Sequence, residues 1–168
     1  MRNRLFFGLL AILLASPGCE KSENVQEEVD RYVEELIQGK YNSSELPDYT
    51  TDHISPLLEF REDSTLITDF PRNPLSSFWM GECRLGIFVL WTIESIRVVE
   101  NQREGILYRF PSLNPVINIS NPDSIKTYEI SIIHQTAADA YYDWWNNDSS
   151  LTVKLEMDPL DSTGYSWH

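Results

Sequence analysis

Residues 79–99 read WMGECRLGIFVLWTIESIRVV, a long apolar stretch with no proline. Its β-branched and aromatic content suits a buried strand. However, Met80, Cys83, Ile87, Leu90, Trp91, Glu94 and Arg97 recur at helical offsets over more than two dozen ångströms of rise, which favours a helix. The stretch is therefore expected to be a central helix, buried almost all round through its middle turns, with a buried strand as the alternative. Everything else in the chain is organised around that expectation.

On the N-terminal side, Val25, Val29, Tyr32, Val33, Leu36 and Ile37 share one face of a helix predicted over 24–38. Asn24 is its expected cap and Gly39 its stop, while Glu27, Glu28, Asp30, Glu34 and Glu35 form a solvated face. Residues 40–50 read as loop. A second helix is expected over 52–62, with Pro56 in its first turn, where a missing N–H costs little. Residues 63–77, punctuated by Pro71 and Pro74, read as loop again.

On the C-terminal side, Pro111, Pro115 and Pro122 break up residues 101–122, with Ile106 to Phe110 expected to be extended. A last long helix is expected from a cap at Asp123 to Trp145, facing inward with Ile125, Tyr128, Ile132, Ala137, Tyr141 and Trp144. The tail from Leu151 offers a short strand over 152–155. Phe70-Pro71 with Asn73-Pro74 returns about 40 residues later as Phe110-Pro111 with Asn114-Pro115, a hint of stacked helical pairs. The fold class is thus mostly α: a bundle of about four helices, with HEAT-like pair packing and an irregular or extended tail.

Composition narrows the function classes. The chain has 168 residues and a formal charge of −13. Arg2 and Arg4 are the only charges in residues 1–18, so the remainder carries 11 basic and 26 acidic groups, net −15. A field of that sign repels phosphate backbones and anionic lipid headgroups, which argues against nucleic-acid binding. Two cysteines make no disulfide scaffold.

The N-terminus reads as an address. Residues 1–4 are basic and polar, residues 5–15 form an uncharged apolar run of 11, and Ser16-Pro17-Gly18-Cys19 follows. The run is too short to span a bilayer and has the length of a signal-peptide core. Small residues before a cysteine resemble the lipobox of bacterial lipoproteins, which implies cleavage after residue 18 and lipidation of Cys19. The expected division is a signal peptide over 1–18, a tether over 19–23 and one globular domain over 24–168. Glu20 and Glu23 behind the cysteine resemble the surface-export signal of Bacteroidetes lipoproteins. The anchor implies the cell envelope, on the outer membrane, facing either the periplasm or the outside.

No arrangement spells out a reaction. Cys83 is expected to be a buried structural thiol, without a histidine partner at any telling spacing. His134 has no carboxylate three or four residues away, so no metal site is assigned there, and no cofactor is expected. Among Tyr141, Tyr142, Trp144 and Trp145, adjacent tryptophans on a helix diverge by about 100°. Tyr142, Trp144 and Trp145 are therefore the candidates for a ligand-stacking rim, against a plainer reading in which the tail covers them. Asp63-Ser64-Thr65, Asp123-Ser124-Ile125 and Asp161-Ser162-Thr163 resemble the acceptor of Bacteroidetes O-glycosylation, implying glycans on Ser64, Ser124 and Ser162.

From the lipobox through Leu57 to Arg61, Phe70 to Ser77, Leu90 to Arg97 and Asp158 to Leu160, the chain resembles a family of small uncharacterised Bacteroidetes lipoproteins. That resemblance implies a lipid-anchored helical domain and brings no catalytic residues. The functional expectation is a non-catalytic binding or assembly module whose partners are the membrane, through Cys19, and an envelope protein or glycan. The alternatives are an acidic immunity-type inhibitor of a basic toxin and a glycan-binding or glycan-active protein.

Overall fold

The computed structural model describes residues 17–101, 109–119 and 130–168. Those residues are mostly helical, with five α-helices and two small antiparallel strand pairs. In chain order they are α1 (Pro17–Ile37), a 3₁₀ turn (Thr51–His53), α2 (Ile54–Leu58), β1 (Leu66–Ile67), β2 (Cys83–Arg84), α3 (Leu85–Glu100), β3 (Ile117–Ile119), α4 (Ile130–Asn146), α5 (Leu151–Glu156) and β4 (Tyr165–Trp167). Among the described residues, no helix is long and apolar enough to cross a membrane.

The stretch at 79–99 is a helix, but only from Leu85. Its first six residues are not helical, and the last two of them, Cys83 and Arg84, pair with Ile67 and Leu66. The reason is the opening turn of α3. Leu85 N–H donates to Thr65 O (2.8 Å) and Gly86 N–H to Asp63 O (2.9 Å), so the preceding loop satisfies donors that a helix leaves free. From there every residue from Leu85 to Val98 except half-buried Ile87 is buried. Buried Glu94, Ser95 and Arg97 sit in this otherwise apolar rod.

Other boundaries also shift. α1 is already helical at Pro17, the first described residue, ahead of the start expected at Asn24. It stops where expected: Gly39 takes φ +62°, Lys40 N–H reaches Glu35 O and Gly39 N–H reaches Leu36 O, the Schellman closure. The helix expected over 52–62 is short, ending at Leu58 in successive turns, and the loop after it contains β1. The tail strand expected over 152–155 is helix α5 instead, and the tail's strand is Tyr165–Trp167, paired with Ile117–Ile119. The cap at Asp123, the inward positions Ile125 and Tyr128, Ser124 and most of the extended piece at 106–110 lie outside the described residues.

On α4 the expected inward positions Ala137, Tyr141 and Trp144 hold, and Ile132 departs. His134, Ala137, Ala138, Tyr141 and Trp144 are buried, whereas Ile132 is 55% exposed. The inward stripe follows offsets of three and four from His134, and Ile132 falls off it. The two Phe-Pro segments do not head stacked pairs. They meet each other: Asn73 Nδ2 donates to Ser112 O (3.0 Å) and Ser76 Oγ to Asn114 Oδ1 (2.9 Å). Phe70 packs on Phe88, Phe88 on Trp91 and Trp91 on Phe110, with centroids 5.2–5.7 Å apart. The repeated phenylalanines thus clamp α3 from two sides.

Gly86 marks the tightest approach. A Cβ there would lie 2.5 Å from Arg61 O and 2.5 Å from His134 Nε2, two atoms already hydrogen-bonded to each other at 2.8 Å. Gly86→Ala is expected to destabilise the fold by about 1–3 kcal/mol through overpacking. Urea denaturation of the two chains measures it.

Candidate functional site

Two clusters of side chains and two grooves are candidates. The first cluster is buried. Glu94 and Arg97, three residues apart on α3, form a bidentate pair: Arg97 Nε donates to Glu94 Oε2 (2.8 Å) and Nη2 to Oε1 (2.5 Å). Tyr141 of α4 donates its hydroxyl to Glu94 Oε2 (2.9 Å), and Trp167 of β4 donates Nε1–H to the Tyr141 oxygen (2.8 Å). Arg97 Nη1 also reaches Leu155 O of α5 (3.1 Å). Burial alone would lower the Arg97 pKa, but Glu94's hydrogen bonds and charge hold it above its ordinary value. Burial, seconded by the Glu94 charge, pushes the Tyr141 phenol well up. The arrangement is a closed network in which charges and donors are used internally.

The other buried titratable groups are also engaged. Cys83 lies in the core with its thiol near Pro115 O (3.8 Å), and burial pushes it up to about 12, so it is undissociated at neutral pH. His134 donates Nε2–H to Arg61 O, and burial lowers its pKa from the ordinary value. Among the described residues, no group of three or more His, Cys, Asp or Glu side chains is disposed to hold a metal ion.

The expected stacking residues separate. Trp144 is buried at 4% exposure beneath α5, donating Nε1–H to Lys154 O (2.7 Å). Trp145 is half-buried, bonded to Ser55 Oγ (2.7 Å), and the Lys154 ammonium sits 5.3 Å from its ring centre. Tyr142 is exposed, but the Arg61 guanidinium lies over its ring at 4.5 Å. Trp144 is buried, Trp145 half-buried and Tyr142 exposed, so the three rings do not share one exposed surface. Beside Trp144, Asp143, Asp158, Asp161 and Ser162 line a groove of about 360 Å3. Ser64 and Ser162 are exposed, and Cys19 lies within α1.

The second cluster is an aromatic loop, of which the sequence reading placed only the end, from Trp79, inside a helix. Trp79 is 76% exposed, with Leu75 and Phe78 also out in solvent. Arg72 holds this loop: its guanidinium lies 4.6 Å from the buried Phe70 ring and 4.3 Å from the Trp79 ring. Arg72 also donates to Thr68 O and to Met80 O. The available signal was Gly81, with Pro71 and Pro74, framing loop chemistry around Phe78 and Trp79. The second groove, of about 450 Å3, is aliphatic, lined by Leu66, Met80, Ile87, Ile117, Ile130 and Ile133, with Glu82 and Arg84 also in its wall.

This helical core, with its clamped α3, extends over the part of the chain that matches a known family, described as Domain of unknown function (DUF4943), across residues 23–168. The chain belongs to that family. No curated protein and no solved structure matches it. In this DUF4943 chain the family match begins inside α1, at residue 23, and takes in both clusters and both grooves.

Two measurements test the buried groups. Tyr141→Phe leaves the Trp167 N–H and one Glu94 acceptor without their shared partner, and is expected to cost about 1–3 kcal/mol. For His134, the folded pKa lies below the unfolded value. The folded state therefore binds the proton less well, and its stability contribution is full above about pH 6.5 and declines as pH falls below that. Urea midpoints at pH 7.5 and 5.5 should fall further apart for the native chain than for His134→Gln.

Proposed function

We propose that the chain is a lipid-anchored binding or assembly module of the cell envelope, attached through Cys19 and without catalytic activity of its own. The observation that carries this reading is the Arg72-braced Trp79, an indole 76% exposed yet held in place. Tryptophan and arginine are the residues most enriched at binding hot spots, and a rigid ring loses little entropy on docking. The partner is an envelope protein or glycan.

The layout supports the same reading. α1 runs about 30 Å from Pro17 to Ile37, and Gly39 beyond its end lies beside Asp69, three residues from Arg72. In this reading the anchor at Cys19 belongs to α1, whose C-terminal end reaches the Asp69 segment that leads into Arg72. The buried Glu94, Arg97, His134 and Cys83 are consumed by internal contacts, which suits a module that binds rather than reacts. Exposed Ser64 and Ser162 are compatible with glycans on an outward-facing envelope protein. A second reading, an acidic inhibitor of a basic toxin, draws support from the groove carrying Asp143, Asp158 and Asp161, where complementary charge would speed association.

Two experiments test the proposal. Cys19→Ala is expected to move the chain out of the membrane fraction, and mass spectrometry of the native product should find the acylated cysteine. Trp79→Ala is expected to reduce recovery of the cross-linked envelope partner at least tenfold with an unchanged melting temperature. Equal recovery by both chains counts against Trp79 as the contact.

A further inference from the structure

The loop after α1 folds back on that helix and leaves a small cavity walled by tyrosines. Glu28, Arg31, Tyr32 and Glu35 follow one another at offsets of three and four, so α1 presents them as one stripe. Tyr41 and Tyr49 of the loop close on that stripe. Their rings meet Tyr32 in T-shaped contacts, with centroids 5.1 and 5.6 Å away and planes 80° and 82° apart. These six residues line a cavity of about 210 Å3. That is below the roughly 300–1,000 Å3 of a whole small-molecule site, and it suits a single head group. The site is braced from behind by His53, which stacks on Tyr49 at 4.1 Å and sets Nε2 3.1 Å from Glu28 Oε2.

The phenolic protons of the walls are already spent. Tyr32 donates to Thr92 Oγ1 (2.9 Å), Tyr41 to Glu45 O (2.9 Å) and Tyr49 to Glu28 O (3.0 Å). What the tyrosines still offer is ring surface, whose quadrupole attracts cations. The charges around them have the matching sign. Burial pushes the Tyr49 phenol up, and Glu28 and Glu35 push the same way while Arg31 opposes them. Burial also raises Tyr41, and Glu35 and Glu45 add to it. Among the described residues, neither Arg31 nor Glu35 makes an ion pair. We propose that this cavity binds an alkylammonium head, with the three tyrosine rings as its walls and Glu28 and Glu35 as its counter-charges. A cation gains from the rings and from the carboxylates, an anion loses on both counts, and a neutral head gains from neither. Arg31 is a competitor within the site, because its positive charge lines the same cavity and offsets what the carboxylates attract. The site involves neither Cys19 nor Trp79, and stands apart from the binding role proposed above.

The test is a proton NMR titration of the full chain, in deuterated non-ionic detergent, with tetramethylammonium at fixed ionic strength. A cation held against aromatic rings has its methyl protons shifted upfield, which a counterion loosely gathered by an acidic surface does not show. The native chain is expected to give a saturable upfield shift with a Kd on the order of 1 mM. Glu35→Gln should weaken binding about threefold or more, and Arg31→Gln should tighten it by a similar factor. Tyr41→Leu should abolish the upfield shift. Arg31 is exposed and Glu35 and Tyr41 half-buried, and thermal melts followed by circular dichroism check that each variant folds. If Tyr41→Leu does not fold, the opposite signs of the two charge variants decide. Butylammonium against a blocked peptide with a single lysine separates a free amine from a polypeptide side chain as the source, and tighter binding of either supports the site. A native chain without a saturable shift overturns the inference, as does equal binding of uncharged tert-butanol. So does an Arg31→Gln chain that binds no better than the native one.

Discussion

The bidentate pair between Glu94 and Arg97 is the constraint on which the C-terminal half of the molecule depends. It brings two full charges into the middle of a buried, largely apolar helix. Removing one partner from such a pair costs about 3–5 kcal/mol, because the other is left charged in a poorly polar interior. The surrounding chain is therefore arranged to supply the remaining contacts. α4 delivers the Tyr141 hydroxyl, α5 delivers the Leu155 carbonyl, and β4 delivers Trp167 against Tyr141. α4, α5 and β4 thus converge on one ion pair.

The N-terminal half is held by a different device, with aromatic hydroxyls on a helix surface. Tyr32 donates to Thr92 Oγ1 (2.9 Å), whose own proton goes to Phe88 O (3.0 Å), tying α1 to α3. Tyr49 donates to Glu28 O and stacks on His53 at 4.1 Å. Arg109, in the left-handed region at φ 63°, adds an ion pair to Asp48 and a hydrogen bond to Tyr49 O. A non-glycine residue in that conformation persists because Ser95, Asp48 and Tyr49 together over-determine it.

Much of this was legible in the sequence. Helical spacing identified α1, α3 and most of α4, and Gly39 marked the stop of α1. What escaped was set by contacts distant in the chain. The opening of α3 depends on carbonyls of Asp63 and Thr65, which no local pattern around Trp79 announces. The tail was misread because Thr152 to Leu155 alternates like a strand, while the actual strand is chosen by the edge that β3 offers to Tyr165–Trp167. The aromatic cluster at 141–145 was visible as composition, yet the sequence does not say that Lys154 and Arg61 would come to lie over Trp145 and Tyr142. Tyr141, read as one core position among several, turned out to join two halves of a network.

Arg72 lies between a ring that belongs to the core and one that belongs to the solvent. Because Phe70 is fixed by Phe88, the guanidinium is fixed too, and through it the indole of Trp79. The rotamer freedom that a surface tryptophan surrenders when something docks on it has here been surrendered already, when the chain folded. A loosening of the interior around Phe88 would therefore be felt outside, as a blurring of the surface around Trp79.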